Sequence, residues 1–167
     1  VQGYNLQLDR EPTTEEVWKS IGDCTKYDEV VFCGYGEPTL RLDVVKEVAK
    51  KIKAAGGRVR LNTNGHGNAI NKRNILPELK GLVDAISISL NADTPEAYDE
   101  IVRPLPGLRE GLYDKVKEFI EESKKYIPKV QATIVTHQDG VDETKCEDMA
   151  CNEFNIDYRP RRHNIVG

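Results

Sequence analysis

The residues best placed to do chemistry lie in Phe32-Cys33-Gly34-Tyr35-Gly36-Glu37-Pro38-Thr39, which follows the apolar run Glu29-Val30-Val31-Phe32. Glycines there let backbone come close to a bound molecule, and Pro38 stiffens the exit by fixing its own φ. Two further polar groups close apolar runs: Thr63-Asn64-Gly65, and Asn91 at the end of Ser87-Ile88-Ser89-Leu90-Asn91. A single carboxylate without a partner does not define acid-base catalysis, so Glu37 reads as a group that positions a ligand. His66, His137 and His163 are too dispersed for a zinc motif and read as surface or loop histidines. Cys24, Cys33, Cys146 and Cys151 match no zinc or disulfide pattern and read as reduced thiols. Cys33 is expected at a buried strand end and Cys146 in a helical apolar stripe, both as packing residues. Arg159, Arg161, Arg162 and His163 form a basic cluster whose default reading is solvent exposure. It could also meet a carboxylate or phosphate, as could Arg103 with a weaker claim.

The elements that must hold these residues alternate. Thr13 and Glu16 make a capping box for a helix over 14–24, after a possible short strand at 5–8. Leu42, Val45, Val48, Ala49 and Ile52 recur at helical spacing, and Gly56-Gly57 ends that helix before a strand over 58–62. A short helix falls within 68–82, limited by Pro77, and a strand follows over 85–90. Thr94-Pro95-Glu96 opens a helix that ends near Val102. A long helix carrying Leu112, Val116, Phe119, Ile120 and Ile127 stops at Pro128, and a strand follows over 130–135. Cys146, Met149, Ala150 and Phe154 share a helical face before a last strand over 156–159. Strands alternating with helices imply parallel pairing through right-handed crossovers.

Several of these strands alternate in polarity, whereas a sheet covered on both faces is apolar throughout. Ile86, Ile88 and Leu90 oppose Ser87, Ser89 and Asn91; Val130, Ala132 and Ile134 oppose Gln131 and Thr133; Val59 and Leu61 oppose Arg58, Arg60 and Asn62. Helices outside and polar side chains inside suit a curved half-barrel around a polar ligand. Such ligands sit at the carboxyl ends of parallel strands, where 34–38, 63–65 and Asn91 fall.

In type and order, Gly34-Tyr35-Gly36-Glu37-Pro38, Thr63-Asn64-Gly65, Ser87 to Ala92 and Tyr158 to Asn164 resemble the motifs of radical S-adenosylmethionine (SAM) enzymes. The resemblance covers nearly the whole chain and is nearest to the TatD-linked radical SAM proteins. It implies a partial (βα)6-type half-barrel with parallel strands, its first strand and cluster loop missing. It implies that Gly34, Gly36 and Glu37 lie along the methionyl group of SAM with Pro38 shaping the turn. Thr63, Asn64, Ser87, Ser89 and Asn91 would lie near the methionyl or ribose part. Radical SAM enzymes bind a [4Fe-4S] cluster through Cys-x3-Cys-x2-Cys, and no three cysteines here have that spacing. The expectation is that residues 1–167 are a single, N-terminally truncated radical SAM core domain with cluster ligands upstream of Val1. The full-length protein would be an oxidoreductase that generates a 5'-deoxyadenosyl radical, with an electron donor such as flavodoxin or ferredoxin and a substrate the sequence does not name. The piece alone would be inactive. Two alternatives stay open: a noncatalytic SAM- or nucleotide-binding α/β domain without a cluster, and a barrel hydrolase or isomerase using Glu37, Asn64 and Asn91.

The bulk properties narrow the field further. A chain of 167 residues suits one domain that buries roughly 70% of its unfolded surface. Charged residues at 31% and hydrophobic residues at 38%, with a mean hydropathy of -0.57, fit a globular protein whose helices are wet on one face. No apolar run approaches the ~20 residues that span a bilayer, and residues 1–10 are not a signal peptide, so the expected location is cytoplasmic. A net charge of -4 and a pI near 5.5 give no support to general nucleic-acid binding.

Overall fold

The computed structural model describes residues 10–34, 36–104 and 107–162. The possible strand at 5–8, Tyr35 and His163 lie outside them. Five strands form one sheet in the order β1-β2-β3-β4-β5, every neighbouring pair parallel: β1 (Val30–Phe32), β2 (Val59–Thr63), β3 (Ala85–Ser89), β4 (Lys129–Val135) and β5 (Asp157–Arg161). Right-handed crossovers that always step in the same direction put every connecting helix on one face. A parallel sheet of this order matches the wall of the half-barrel that the resemblance implies, and its other face is free to be polar.

The connecting helices are α1 (Thr14–Ile21), α2 (Leu42–Ala54), α3 (Gly67–Asn71), α4 (Leu76–Leu79), α5 (Pro95–Val102), α6 (Leu112–Ser123) and α7 (Glu143–Asp148). Register fixes which side chains meet them. Phe32, Leu61, Ile86 and Val130 form one row toward the helices, and Thr63, Ile88, Ala132 and Tyr158 the next. All but Thr63 pack with Val48, Ile52, Leu76, Val116, Phe119 and Ile120 in or against one core cluster. On the opposite face Asn62, Ser87, Gln131 and Asp157 lie in register, followed toward the carboxyl ends by Ser89, Thr133 and Arg159. Among the described residues no helix is long and apolar enough to cross a membrane.

Local capping follows the sequence. Thr13 and Glu16 form the reciprocal capping box, and the Thr94 hydroxyl accepts from Ala97 N–H. Three helix ends differ from the periodicity. The first helix stops at Ile21 because Gly22 takes φ 66°, and Cys24 then opens a 3-10 turn, buried in the core. The sixth stops at Ser123, whose carbonyl accepts from Tyr126 and Ile127 in a closing turn, so Ile127 reaches the core from outside the helix. The helical face of Cys146 and Phe154 is built from α7 plus a π-helical turn over Met149–Glu153, and the extra residue in that turn resets the phase.

Candidate functional site

Glu37 organises the glycine-rich turn. It caps a 3-10 turn over Pro38–Arg41 and is 9% exposed. One carboxylate oxygen accepts from Thr39 N–H at 3.0 Å, from the Thr39 hydroxyl at 2.7 Å and from the Thr63 hydroxyl at 2.8 Å. The other accepts from Asn64 N–H at 2.8 Å. The side chain therefore clamps the end of β1 to the end of β2, and what the turn offers a ligand is backbone. At Gly34 and Gly36 a Cβ would meet nothing within 4 Å, and a cleft of about 330 Å³ beside them is lined by Phe32, Glu37, Pro38 and Val44.

Beyond β2 the same network runs inward. Gly65 N–H donates to the Thr63 hydroxyl at 3.1 Å, and His66 N–H to Asn64 Oδ1 at 2.9 Å. His66 is buried, a correction to its reading as a surface or loop histidine: a 2.7 Å hydrogen bond joins its Nε2 to the Tyr98 hydroxyl. Burial holds the imidazole below its ordinary pKa of 6.5, partly opposed by the Glu37 charge. Burial, then the charges of Asp99 and Glu37, push the Tyr98 phenol up, so it stays protonated. The Tyr98 ring lies 5.4 Å from that of Tyr113, whose hydroxyl donates to the Ala92 carbonyl at 3.2 Å beyond β3. Thus α5 and α6 tie the ends of β2 and β3 together from behind.

The polar face carries the remaining candidates. Ser87 is engaged within the sheet, accepting from Arg60 Nη1 at 3.1 Å and donating to Gln131 Oε1 at 3.3 Å, while Arg60 pairs with Glu29 at 2.5 Å. Ser89 lines a cleft of about 60 Å³ with Asn62, Ser87, Thr133, Arg159 and Arg161. Asn91 takes φ 63°, an uncommon conformation outside glycine that turns the chain at the strand end. The buried side-chain oxygens Asn62 Oδ1 and Asn91 Oδ1 have no donor among the described residues.

Two groups result: Gly34, Gly36, Glu37, Pro38, Thr63 and Asn64 at the ends of β1 and β2, and Ser89 with the arginines across β3 to β5. Ser87 lines the same cleft as Ser89 and the arginines and belongs to the second group. Sequence reasoning gave Thr39, Asn62, Thr133 and the His66–Tyr98 pair no site role; the one available signal was that Asn62 and Thr133 fall on the polar phase of their strands. Cys33 is exposed rather than buried. Phe32 takes the core-facing position, so the next residue turns away, and β1 has no neighbour on its other side among the described residues. Cys146 is fully buried as expected, and burial first, then nearby Asp93, pushes its thiol up to about 12.

The donor sets can be tested against the two groups that the resemblance implies. Two buried carboxamide oxygens that lack donors among the described residues fit a ligand bringing ammonium, ribose hydroxyl and adenine amino donors, which SAM does. The cluster finds no such fit: among the described residues no three His, Cys, Asp or Glu side chains converge.

A sequence model of the radical SAM superfamily matches residues 3–149. The chain belongs to the radical SAM superfamily. It is similar to a protein of Methanocaldococcus jannaschii named provisionally as a glycyl-radical enzyme activating enzyme, 30% identical over 149 residues, 88% of this chain and 58% of that protein. It is also similar to an uncharacterised protein of the same organism, 32% identical over 114 residues, 68% of this chain and 37% of that protein. The chain spans about half the length of the curated relatives it matches. Neither relative's name carries the finer TatD-linked grouping.

Proposed function

We propose that residues 1–167 form one radical SAM core domain whose polar face holds SAM, as part of an enzyme whose whole length the chain does not span. The observation that carries this reading is that the buried oxygens of Asn62 and Asn91, near the strand ends, have no donor among the described residues. Gly34 and Gly36 would present backbone to the methionyl group, with Pro38 shaping the turn. Glu37 would act through Thr39, Thr63 and Asn64, by holding that turn against β2, rather than by proton transfer. Ser87, Ser89 and Asn91 would line the ribose side. In this family bound SAM supplies a carbon radical that abstracts hydrogen, and the protein's share is to orient substrate and exclude water. A donor such as flavodoxin or ferredoxin would supply the electron, and the relative's name points to a glycyl-radical enzyme as one class of substrate.

The test uses Gly34→Ala. Its Cβ enters open space, so the fold is spared, but it fills the approach of the ligand to the backbone. In equilibrium dialysis with labelled SAM, the unaltered chain should bind saturably and the variant at least tenfold more weakly, with equal urea midpoints. Binding that the variant leaves unchanged, or no binding of SAM to the folded chain, sinks the proposal. Preference for ATP over SAM would favour a noncatalytic nucleotide-binding domain instead.

A further inference from the structure

The chain turns sharply after β3. Ala92 N–H donates to the Leu90 carbonyl at 2.9 Å, closing a three-residue turn around Asn91, which takes φ 63°. A turn of this hand is the rare, strained kind, and a residue other than glycine stays in it only where its surroundings hold both flanks. The sheet holds one flank: Leu90 is fully buried, and its N–H donates to the Thr133 carbonyl of β4 at 2.9 Å. The other is held from α6, where the hydroxyl of the buried Tyr113 donates to the Ala92 carbonyl at 3.2 Å. Burial above all keeps that phenol protonated, and so a donor. One residue on, Asp93 Oδ1 accepts from Asp142 N–H at 3.0 Å, which ties down the exit of the turn.

The strained residue makes no use of its side-chain oxygen within the protein. Asn91 Oδ1 is buried and has no donor among the described residues. At an ordinary negative φ the same side chain would leave the backbone in another direction. We propose that Tyr113 is a positioning residue: from behind the sheet it locks Ala92, holds Asn91 left-handed and so keeps Asn91 Oδ1 where a donor of the ligand reaches it. Tyr113 itself does not touch the ligand. The step from turn to ligand rests on SAM binding at the polar face, whereas the lock on Asn91 does not.

Two readouts separate these parts. In the unliganded chain the intraresidue HN–Hα Overhauser effect reports φ, because the two protons approach most closely when φ is positive. It should be strong at Asn91 in the parent and fall to the level of ordinary residues in Tyr113→Phe, which loses one oxygen and keeps its ring against Tyr98. In equilibrium dialysis with labelled SAM, Tyr113→Phe should bind about fivefold more weakly or worse. Asn91→Gly keeps the left-handed turn without strain, removes the amide and should also weaken binding. Adding Tyr113→Phe to Asn91→Gly should weaken it by no more than about twofold further, since a residue that acts through Asn91 then has nothing to act on. Ser123→Ala takes a buried hydroxyl from the same helix without touching the turn, and should leave both readouts at parent values. A change there as large as in Tyr113→Phe would mean that loosening α6 is enough, and the proposal fails. An unchanged Overhauser effect in Tyr113→Phe overturns the lock. Unchanged SAM affinity in that variant, or an equal loss on the Asn91→Gly background, overturns the link to the ligand while the SAM reading stands. If the parent binds no SAM yet Tyr113→Phe loses the Overhauser effect, the SAM reading falls and the lock stands.

Discussion

Glu37 shows how much of a site's chemistry depends on what a side chain is already bonded to. As a carboxylate beside glycines it invites a role against the ligand, yet both its oxygens are occupied by Thr39, Thr63 and Asn64. Removing a buried charged acceptor of this kind leaves donors unpaired, which is why the turn and the end of β2 should behave as one unit. His66 continues that unit and gives it a pH dependence. Its folded pKa is depressed, so the unfolded chain takes up the proton first. Its contribution to stability is therefore complete above about pH 6.5 and falls as pH drops below that value toward the folded pKa. Urea unfolding followed from pH 7.5 to 5 should show the parent losing more stability than His66→Gln, which keeps a polar partner for Tyr98 and does not titrate. Parallel curves would mean that the imidazole is not held neutral. None of this was legible in sequence, because the burial of His66 depends on Tyr98, thirty-two residues away on α5.

At the scale of elements the sequence was far more readable. Period-2 polarity over β2, β3 and β4 announced both the strands and the wet face, because the phase of a strand is fixed by its residue spacing alone. Helix ends were less so: Gly22 and the turn after Ser123 stop helices that apolar spacing alone would continue. The glycines illustrate the difference between positions that serve a ligand and positions that serve packing. Gly34 faces open space, whereas Gly65 takes φ +81° and its Cβ would sit 3.0 Å from Val116 Cγ1 on α6 and 3.1 Å from Ile88 Cγ2 on β3. Gly65→Ala pays for a left-handed conformation, about 1–2 kcal/mol, and for overpacking, about 1–3 kcal/mol. A loss of roughly 2–5 kcal/mol in urea unfolding is expected there, against a change within about 0.5 kcal/mol for Gly34→Ala. Equal midpoints for the two variants would show that the end of β2 does not pack on α6 as described.

For the molecule as a whole, the decisive property is that the sheet steps one way and, among the described residues, does not close. Among the described residues β1 pairs only with β2 and β5 only with β4, so both borders present unpaired backbone groups. Natural edges of this kind are blunted by charge, by proline or by short length. The β5 border has Arg159, Pro160 and Arg161 in its strand, which meets two of those conditions. The β1 border has only its three-residue length, and the large exposed apolar side chains Tyr27, Val31 and Leu40 all lie on or around that strand. A net charge of -4 is modest protection for such a patch. The chain on its own should therefore self-associate through the β1 border. Sedimentation velocity should give a weight-average mass that rises with concentration, and Val31→Lys, which puts a charge on the exposed position of that strand, should lower it toward the monomer. If Val31→Lys has no effect while R159A/R161A raises the mass, the sticky border is β5, and the arginines guard an edge as well as face the cleft.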